Sequence, residues 1–234
     1  MKDRIKSLIC VLTVVILLAG SAYLNTYYRA SEEAGNAVKR AEKLNNDMLV
    51  FEPQNEIRCG LIFYPGGKVE YTAYAPLMEA CSKEGILCVL LKMPCNLAVL
   101  DINAADGIQK EFPNVNEWYM AGHSLGGSMA ASYIGEHSEG FEGLILLASY
   151  STENLSDTGL DALSIYGTED LVLNKNKYKE NKDNLPTDYV EVVIDGGCHA
   201  YFGNYGEQEG DGKSTITVEK QQEITVEMIK NFVK

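Results

Sequence analysis

Gly122-His123-Ser124-Leu125-Gly126 matches the pattern Gly-x-Ser-x-Gly, and the fold prediction starts from this segment. A pattern this short is weak evidence alone, but its context is specific. Residues 117–121, apolar after Glu117, precede it, and residues 126–131, rich in Gly, Ala and Ser, follow it. The sequence therefore predicts a tight strand-to-helix turn, in which the glycines let strand and helix approach closely and the Ser124 hydroxyl is exposed at the strand's carboxyl end.

Short apolar segments alternate with helix-periodic segments along the chain, which is typical of a parallel α/β sheet. Strands are predicted at residues 57–64, 86–91, 117–121, 143–149, 163–167 and 189–194. Helices are predicted at residues 71–81, 97–112, 126–131 and 217–233. The predicted fold class is a three-layer α/β/α sandwich with a mostly parallel central sheet. It has no large cap domain, because only about a dozen residues separate the strands at 143–149 and 163–167.

A serine hydroxyl is a poor nucleophile unless a neighbouring base takes its proton, and this chain has three histidines. His123 lies within the turn, and its ring is expected to point away from the Ser124 hydroxyl. His137 falls at the far end of the following helix. His199 follows the last predicted strand, at the edge of the sheet where Ser124 is expected. The sequence therefore predicts Ser124 as the nucleophile and His199 as its base.

An acidic residue must orient the histidine, and Asp170 comes directly after the predicted strand at 163–167. Glu169 is its nearest competitor. Asp195 precedes His199 at the end of the last strand and is assigned to the turn there. Asp170 is therefore the predicted third member of a catalytic triad.

The order Ser124, Asp170, His199 resembles the triad of the α/β-hydrolase fold family, and the size of the chain is similar to its compact dienelactone-hydrolase-like branch. The resemblance covers residues 48–233 and rests on segments 122–126, 167–170 and 197–199. It implies a serine hydrolase that needs no metal and no organic cofactor. Dienelactone hydrolases use Cys where this chain has Ser124, so the resemblance does not extend to their activity.

The resemblance also implies an oxyanion hole made of two backbone N–H groups. One belongs to Leu125, the residue after the nucleophile, and the other to the loop at 64–68. The backbone N–H of Gly67 is the predicted second donor, and that of Lys68 is the alternative. Residues 66–67 could instead form a turn that has no catalytic role. Without a cap the site should be open. Residues 200–214 could fold over it or form a solvated connection.

The predicted substrate is a small-molecule carboxylic ester, cleaved through an acyl-serine intermediate. A peptidase or amidase and an acyltransferase remain alternatives, because the same triad serves these reactions. A non-catalytic cell-surface binding protein on a hydrolase scaffold is the alternative from another class. With 33 acidic against 20 basic residues, a formal net charge of −13 argues against nucleic acid as a partner.

The N-terminal segment has the pattern of an export signal. An uncharged apolar run at residues 8–24 follows three basic residues, Lys2, Arg4 and Lys6. This run is longer than the ~7–15 residues of a typical signal-peptide core. It is at the lower limit of the ~17–25 residues that a membrane-spanning helix needs. We expect an uncleaved anchor with the rest of the chain outside the cell membrane; cleavage near residues 20–22 would instead release a secreted protein. The predicted division is signal or anchor at 1–24, stalk or linker helix at 25–46 and catalytic domain at 47–234.

Overall fold

A seven-stranded sheet forms the centre of the computed structural model, which describes residues 2–42 and 47–234. The strands are β1 (Met48–Phe51), β2 (Cys59–Tyr64), β3 (Ile86–Leu91), β4 (Trp118–His123), β5 (Gly143–Leu147), β6 (Asp161–Gly167) and β7 (Val190–Ile194). Their order is β1-β3-β2-β4-β5-β6-β7, with β1 antiparallel to β3 and the other pairings parallel. The prediction of a mostly parallel central sheet is confirmed.

Helices cover both faces of the sheet and enclose two hydrophobic cores. The helices that the structure describes are α1 (Lys2–Asn25), α2 (Glu32–Val38), α3 (Ala75–Lys83), α4 (Ile108–Glu111), α5 (Leu125–Glu136), α6 (Lys175–Glu180) and α7 (Val218–Phe232), and α1 contributes to neither core. The first core contains buried residues of α2, α3 and α7, and the second contains those of α4 and α5. The chain is therefore an α/β/α sandwich without a large cap, as predicted.

The central strands are apolar throughout because both of their faces are covered. In β2, Leu61 and Phe63 point into the first core, whereas Ile62 and Tyr64 point into the second. The register pairs Tyr64 with Gly122, so the carboxyl ends of β2 and β4 lie side by side. The segments that follow these two strands therefore meet at one edge of the sheet.

The predicted helix at 97–112 is wrong. A short 3-10 helix at Ala98–Leu100 and the single turn of α4 are separated by turns. Gly107 adopts a left-handed φ of 78°, which an α-helix does not accommodate, and Asp101 and Asn103 are turn-forming residues. The predicted helix at 71–81 also differs, since it begins as a 3-10 helix over Tyr71–Tyr74 before α3 continues it.

The N-terminal part of the chain begins with α1, in which Ile5–Ala22 is long and apolar enough to cross a membrane. Residues 26–42, assigned to a stalk or linker by sequence, lie against the domain. Ala34 and Ala37 of α2 are buried, and Glu42 pairs with Val50 of β1. Residues 43–46 of the predicted linker lie outside the described residues.

The cysteines are unpaired in the structure. Cys59 and Cys88 are buried in strands, where burial raises the pKa of the Cys59 thiol to about 12. They act as small apolar side chains in the core. Cys10 and Cys95 are exposed.

Candidate active site

A strained turn holds Ser124 between β4 and α5. Ser124 has φ 51° and ψ −123°, a conformation rarely adopted by residues other than glycine. Its backbone N–H donates to the Leu147 carbonyl at 2.9 Å, and the Ser149 hydroxyl donates to the Ser124 carbonyl at 2.7 Å. A Cβ on Gly126 would lie 2.3 Å from the Pro65 carbonyl oxygen, so only glycine lets α5 start this close to the β2 loop.

A buried Asp–His pair lies at the same edge of the sheet. His199 Nδ1 is 2.9 Å from Asp170 Oδ2, and the two side chains are 1% and 0% exposed. Asp170 Oδ1 accepts the backbone N–H groups of Val172 and Leu173 at 2.9 and 2.8 Å. The carboxylate is thereby fixed in one orientation. With the proton on Nδ1 donated to Asp170, Nε2 of His199 is left as the basic nitrogen.

The structure places the three predicted triad residues at one edge of the sheet, but only two of them are hydrogen-bonded to each other. Asp170 and His199 are directly hydrogen-bonded. The His199 ring lies 4.5 Å, centroid to centroid, from the ring of His123, the residue before Ser124. Among the described residues no hydrogen bond links the Ser124 hydroxyl to His199. This agrees with a catalytic role, because the bond between nucleophile and base is often long in enzymes without substrate.

Asp211 connects the loops that carry the acid and the histidine. Its Oδ2 accepts the backbone N–H of Ala200 at 2.9 Å, and its Oδ1 accepts that of Leu171 at 3.3 Å. These two residues directly follow His199 and Asp170 in the chain. One carboxylate therefore holds both loops together. Asp211 could not be predicted from the sequence, because no local pattern marks a contact across 40 residues.

Gln221 of α7 fixes the residue before His199. Its Oε1 accepts the Cys198 N–H at 3.0 Å, and its Nε2 donates to the Cys198 carbonyl at 2.8 Å. Gln221 is fully buried. His199 is thus held from both sides along the chain, at Cys198 by Gln221 and at Ala200 by Asp211.

A buried Tyr–His pair links the 64–68 loop to the histidine loop. Tyr74 Oη lies 2.8 Å from His123 Nδ1 and accepts the Gly66 N–H at 3.0 Å. His123 Nε2 lies 3.1 Å from the His199 carbonyl oxygen. A carbonyl only accepts, so Nε2 carries the proton and Tyr74 donates to Nδ1. In the neutral ring, which burial favours, both nitrogens of His123 are hydrogen-bonded.

His123 should make folding stability depend on pH. Burial lowers its pKa well below the ordinary value, and the nearby His199 lowers it further. As pH falls below about 6.5, the unfolded chain takes up a proton here that the folded chain does not, so the free energy of unfolding decreases. Wild type should lose up to about 1.4 kcal/mol per pH unit more than His123→Gln, which can still donate to the same carbonyl.

Urea unfolding of the full chain in non-ionic detergent, followed by fluorescence of the buried Trp118, measures this difference. The comparison runs from pH 7.5 to pH 5.5. Equal pH dependence in wild type and His123→Gln would show that His123 does not remain neutral in the folded state.

The backbone N–H groups of the 66–68 segment have different partners. Gly66 donates to Tyr74, and Lys68 donates to the Asn96 carbonyl at 2.7 Å. The Gly67 N–H has no partner among the described residues. Gly67 lies directly beside Leu125, since a Cβ on Gly67 would be 2.9 Å from Leu125 Cδ2. Of the two predicted alternatives, the Lys68 N–H is occupied and the Gly67 N–H is open.

The loop after His199 packs onto the domain. Phe202 is fully buried, and the ring of Tyr205 lies 5.5 Å from Tyr28 and 6.5 Å from Tyr74. The Asn204 carbonyl accepts the Ser31 N–H at 2.8 Å. Residues 200–205 therefore pack between His199 and the segment that follows α1, whereas residues 206–214 are exposed or half-buried.

Comparison with known families identifies the chain. Residues 60–223 match the alpha/beta hydrolase family, and the chain belongs to that family. Among curated proteins no sequence matches it.

Solved structures with the same fold include several hydrolases. A monoacylglycerol lipase from Paleococcus ferrophilus is 12% identical with a TM-score of 0.61, covering 79% of this chain and 98% of the lipase. A dienelactone hydrolase from Anabaena variabilis is 13% identical with a TM-score of 0.59, covering 83% and 100%. Esterase 2 from Thermogutta terrifontis, whose structure is phosphoramylated by tabun, is 14% identical with a TM-score of 0.58, covering 83% and 95%. At these identities the likeness shows a shared hydrolase fold.

Proposed function

We propose that this protein is a serine hydrolase that cleaves carboxylic esters through an acyl-Ser124 intermediate. The observation that carries the proposal is the buried Asp170–His199 pair at the sheet edge where the strained turn presents Ser124. A buried carboxylate with both oxygens bonded, one of them to a histidine, is the arrangement that orients a general base. Esterase and lipase neighbours support hydrolysis of small-molecule esters as the reaction class.

In the first half of the reaction, His199 Nε2 takes the proton of the Ser124 hydroxyl as the oxygen attacks the ester carbonyl. Asp170 stabilises the imidazolium that forms while remaining ionised. His199 then gives the proton to the leaving alkoxide, which departs as the alcohol. The products of this half are the acyl-Ser124 ester and a free alcohol.

In the second half, His199 takes a proton from water as the water oxygen attacks the acyl-Ser124 carbonyl. The returned proton regenerates the Ser124 hydroxyl, and the carboxylic acid leaves. In both halves the carbonyl oxygen carries negative charge in the transition state. The N–H groups of Leu125 and Gly67 are the proposed donors to that oxygen, since the Gly67 N–H is open and adjacent to Leu125.

We further propose that α1 is an uncleaved membrane anchor and that the hydrolase domain lies outside the cell membrane. The apolar stretch Ile5–Ala22, long enough to cross a membrane, and the basic residues near its start support this orientation.

Hydrolysis of matched ester and amide substrates distinguishes an esterase from an amidase. The full chain in detergent should hydrolyse p-nitrophenyl esters, with a preference along a series of acyl lengths, and leave the matching p-nitroanilides uncleaved. Ser124→Ala supplies the blank for each substrate. Cleavage of anilides with no cleavage of any ester would replace the esterase proposal by an amidase. Transfer to added alcohol in preference to water would indicate an acyltransferase.

A further inference from the structure

The segment that leaves α1 is attached directly to the candidate active site. Helix α1 ends at Asn25. The next residue, Thr26, accepts a hydrogen bond from Lys68 Nζ at 3.0 Å through its hydroxyl. Lys68 follows Gly67, one of the proposed oxyanion donors. The anchor and the site are thus adjacent in space as well as connected through the chain.

Backbone pairing continues this attachment. The Tyr28 N–H donates to the Lys68 carbonyl at 2.8 Å, and the Glu70 N–H donates to the Tyr28 carbonyl at 2.9 Å. The Tyr28 hydroxyl accepts the N–H of Glu209, in the loop after His199, at 3.1 Å. Two residues, Thr26 and Tyr27, separate the end of α1 at Asn25 from Tyr28, and the three Cα–Cα steps between them span at most about 10 Å. A membrane that contains α1 therefore lies close to this edge of the sheet.

The same edge carries exposed apolar side chains. Leu100 follows β3 and is 57% exposed, and Leu171 follows β6, next to Asp170, and is 70% exposed. They are the two most exposed large aliphatic side chains that the structure describes outside α1. Exposed leucines beside a membrane anchor are suited to insertion among lipid acyl chains.

We propose that the sheet edge carrying Ser124 and His199 faces the membrane that holds α1, and that the substrate is a lipid ester whose acyl chain lies in that bilayer. The assignment of a lipid ester rests on the proposed hydrolase function. The orientation of the edge rests on the contacts of Thr26 and Tyr28 alone.

The orientation can be measured without catalysis. Cys95 is exposed, and the neighbouring Asn96 carbonyl accepts the Lys68 N–H, so a label on Cys95 reports on the mouth of the site. The full chain with Cys10→Ser, labelled at Cys95 with a fluorophore, is placed in phosphatidylcholine vesicles that contain spin-labelled lipid. The control carries Cys10→Ser, Cys95→Ser and Ile57→Cys, which puts the label before β2 at the opposite edge.

The label at position 95 should be quenched by the spin-labelled lipid and the label at position 57 should not. Equal quenching at both positions, or stronger quenching at position 57, would overturn the proposed orientation. Zwitterionic lipid is used because acidic residues, among them Asp101 and Glu169, share this edge.

The substrate class is tested with two esters in the same vesicles: water-soluble p-nitrophenyl butyrate and a fluorogenic diacylglycerol held in the bilayer. Leu100→Asp should lower hydrolysis of the bilayer ester by about tenfold, through the lost burial of one leucine, and leave hydrolysis of the soluble ester unchanged. Ile57→Asp is the matched control and should leave both rates unchanged.

Each outcome separates the two proposals. Hydrolysis of the soluble ester alone would overturn the lipid-ester proposal and leave the hydrolase function standing. Equal rates on the bilayer ester in wild type and Leu100→Asp would overturn the insertion of Leu100 into the bilayer. Hydrolysis of neither ester would overturn the hydrolase function and the lipid-ester assignment together. In that case the quenching experiment still decides which edge faces the membrane.

Discussion

Asp170→Asn should lower kcat for ester hydrolysis by about 10⁴, with little change in KM. The asparagine keeps the size of the side chain, and its carbonyl can still accept the N–H groups of Val172 and Leu173. Its NH₂ group would then face His199 Nδ1 and donate to it. The proton of the imidazole would move to Nε2, which could no longer accept the proton of Ser124.

Glu169→Gln is the matched control, because Glu169 is the neighbouring carboxylate and the competing candidate from sequence. Its side chain accepts a hydrogen bond from Thr168 in the structure. We expect its kcat to stay within about threefold of wild type, as for most surface changes that leave the site intact. Steady-state kinetics on one ester measures both variants. A larger loss in Glu169→Gln than in Asp170→Asn would assign the acid to Glu169.

Sequence predicted the sheet well because its strands give strong local signals. β2, β3, β4 and β5 are buried on both faces, and each appears as a continuous apolar segment. The position of Ser124 followed from glycines that the close approach of α5 requires. His199 and Asp170 could be chosen because parallel strands bring their carboxyl ends to one edge.

Other features could not be predicted, because the local sequence carries no signal for them. β1 has four residues and owes its place to pairing with β3, so no periodic signal marks it. The apolar spacing at 97–112 favoured a helix, but Gly107 and the turn-forming residues before it ended that pattern. Three residues near the site make hydrogen bonds to residues 23 to 49 positions away in the sequence, and only folding brings these partners together. They are Tyr74, Asp211 and Gln221.

The segment 26–42 shows how a tertiary contact changes the interpretation of a polar stretch. Its composition favoured a stalk that separates an anchor from a domain. In the structure Tyr28 pairs with Val69 and α2 buries two alanines, so the segment packs against the domain instead of separating it from α1. Amphipathic packing of such a short helix depends on its partner surface, which the local sequence does not reveal.

Ser124→Ala should lower kcat by about 10⁶, the loss seen when the nucleophile of a serine triad is removed. The methyl group of alanine fits the space of the serine side chain, so the fold should be unaffected. The backbone at this position has φ 51°, a strain already present in the wild type. Ser128→Ala, one turn later in α5, is the matched control. The Ser128 hydroxyl is hydrogen-bonded to Ser149 and Tyr150 and not to the proposed catalytic residues. We therefore expect the Ser128→Ala variant to retain activity.

A Ser124 nucleophile activated by His199 should react covalently with a fluorophosphonate, and this labelling is the test of its proposed role. The full chain is incubated with the probe at neutral pH and digested, and the modified peptide is identified by mass spectrometry. We expect one adduct per chain, on Ser124, which Ser128→Ala retains and Ser124→Ala lacks. An unlabelled wild type, or an adduct that persists in Ser124→Ala, would contradict it.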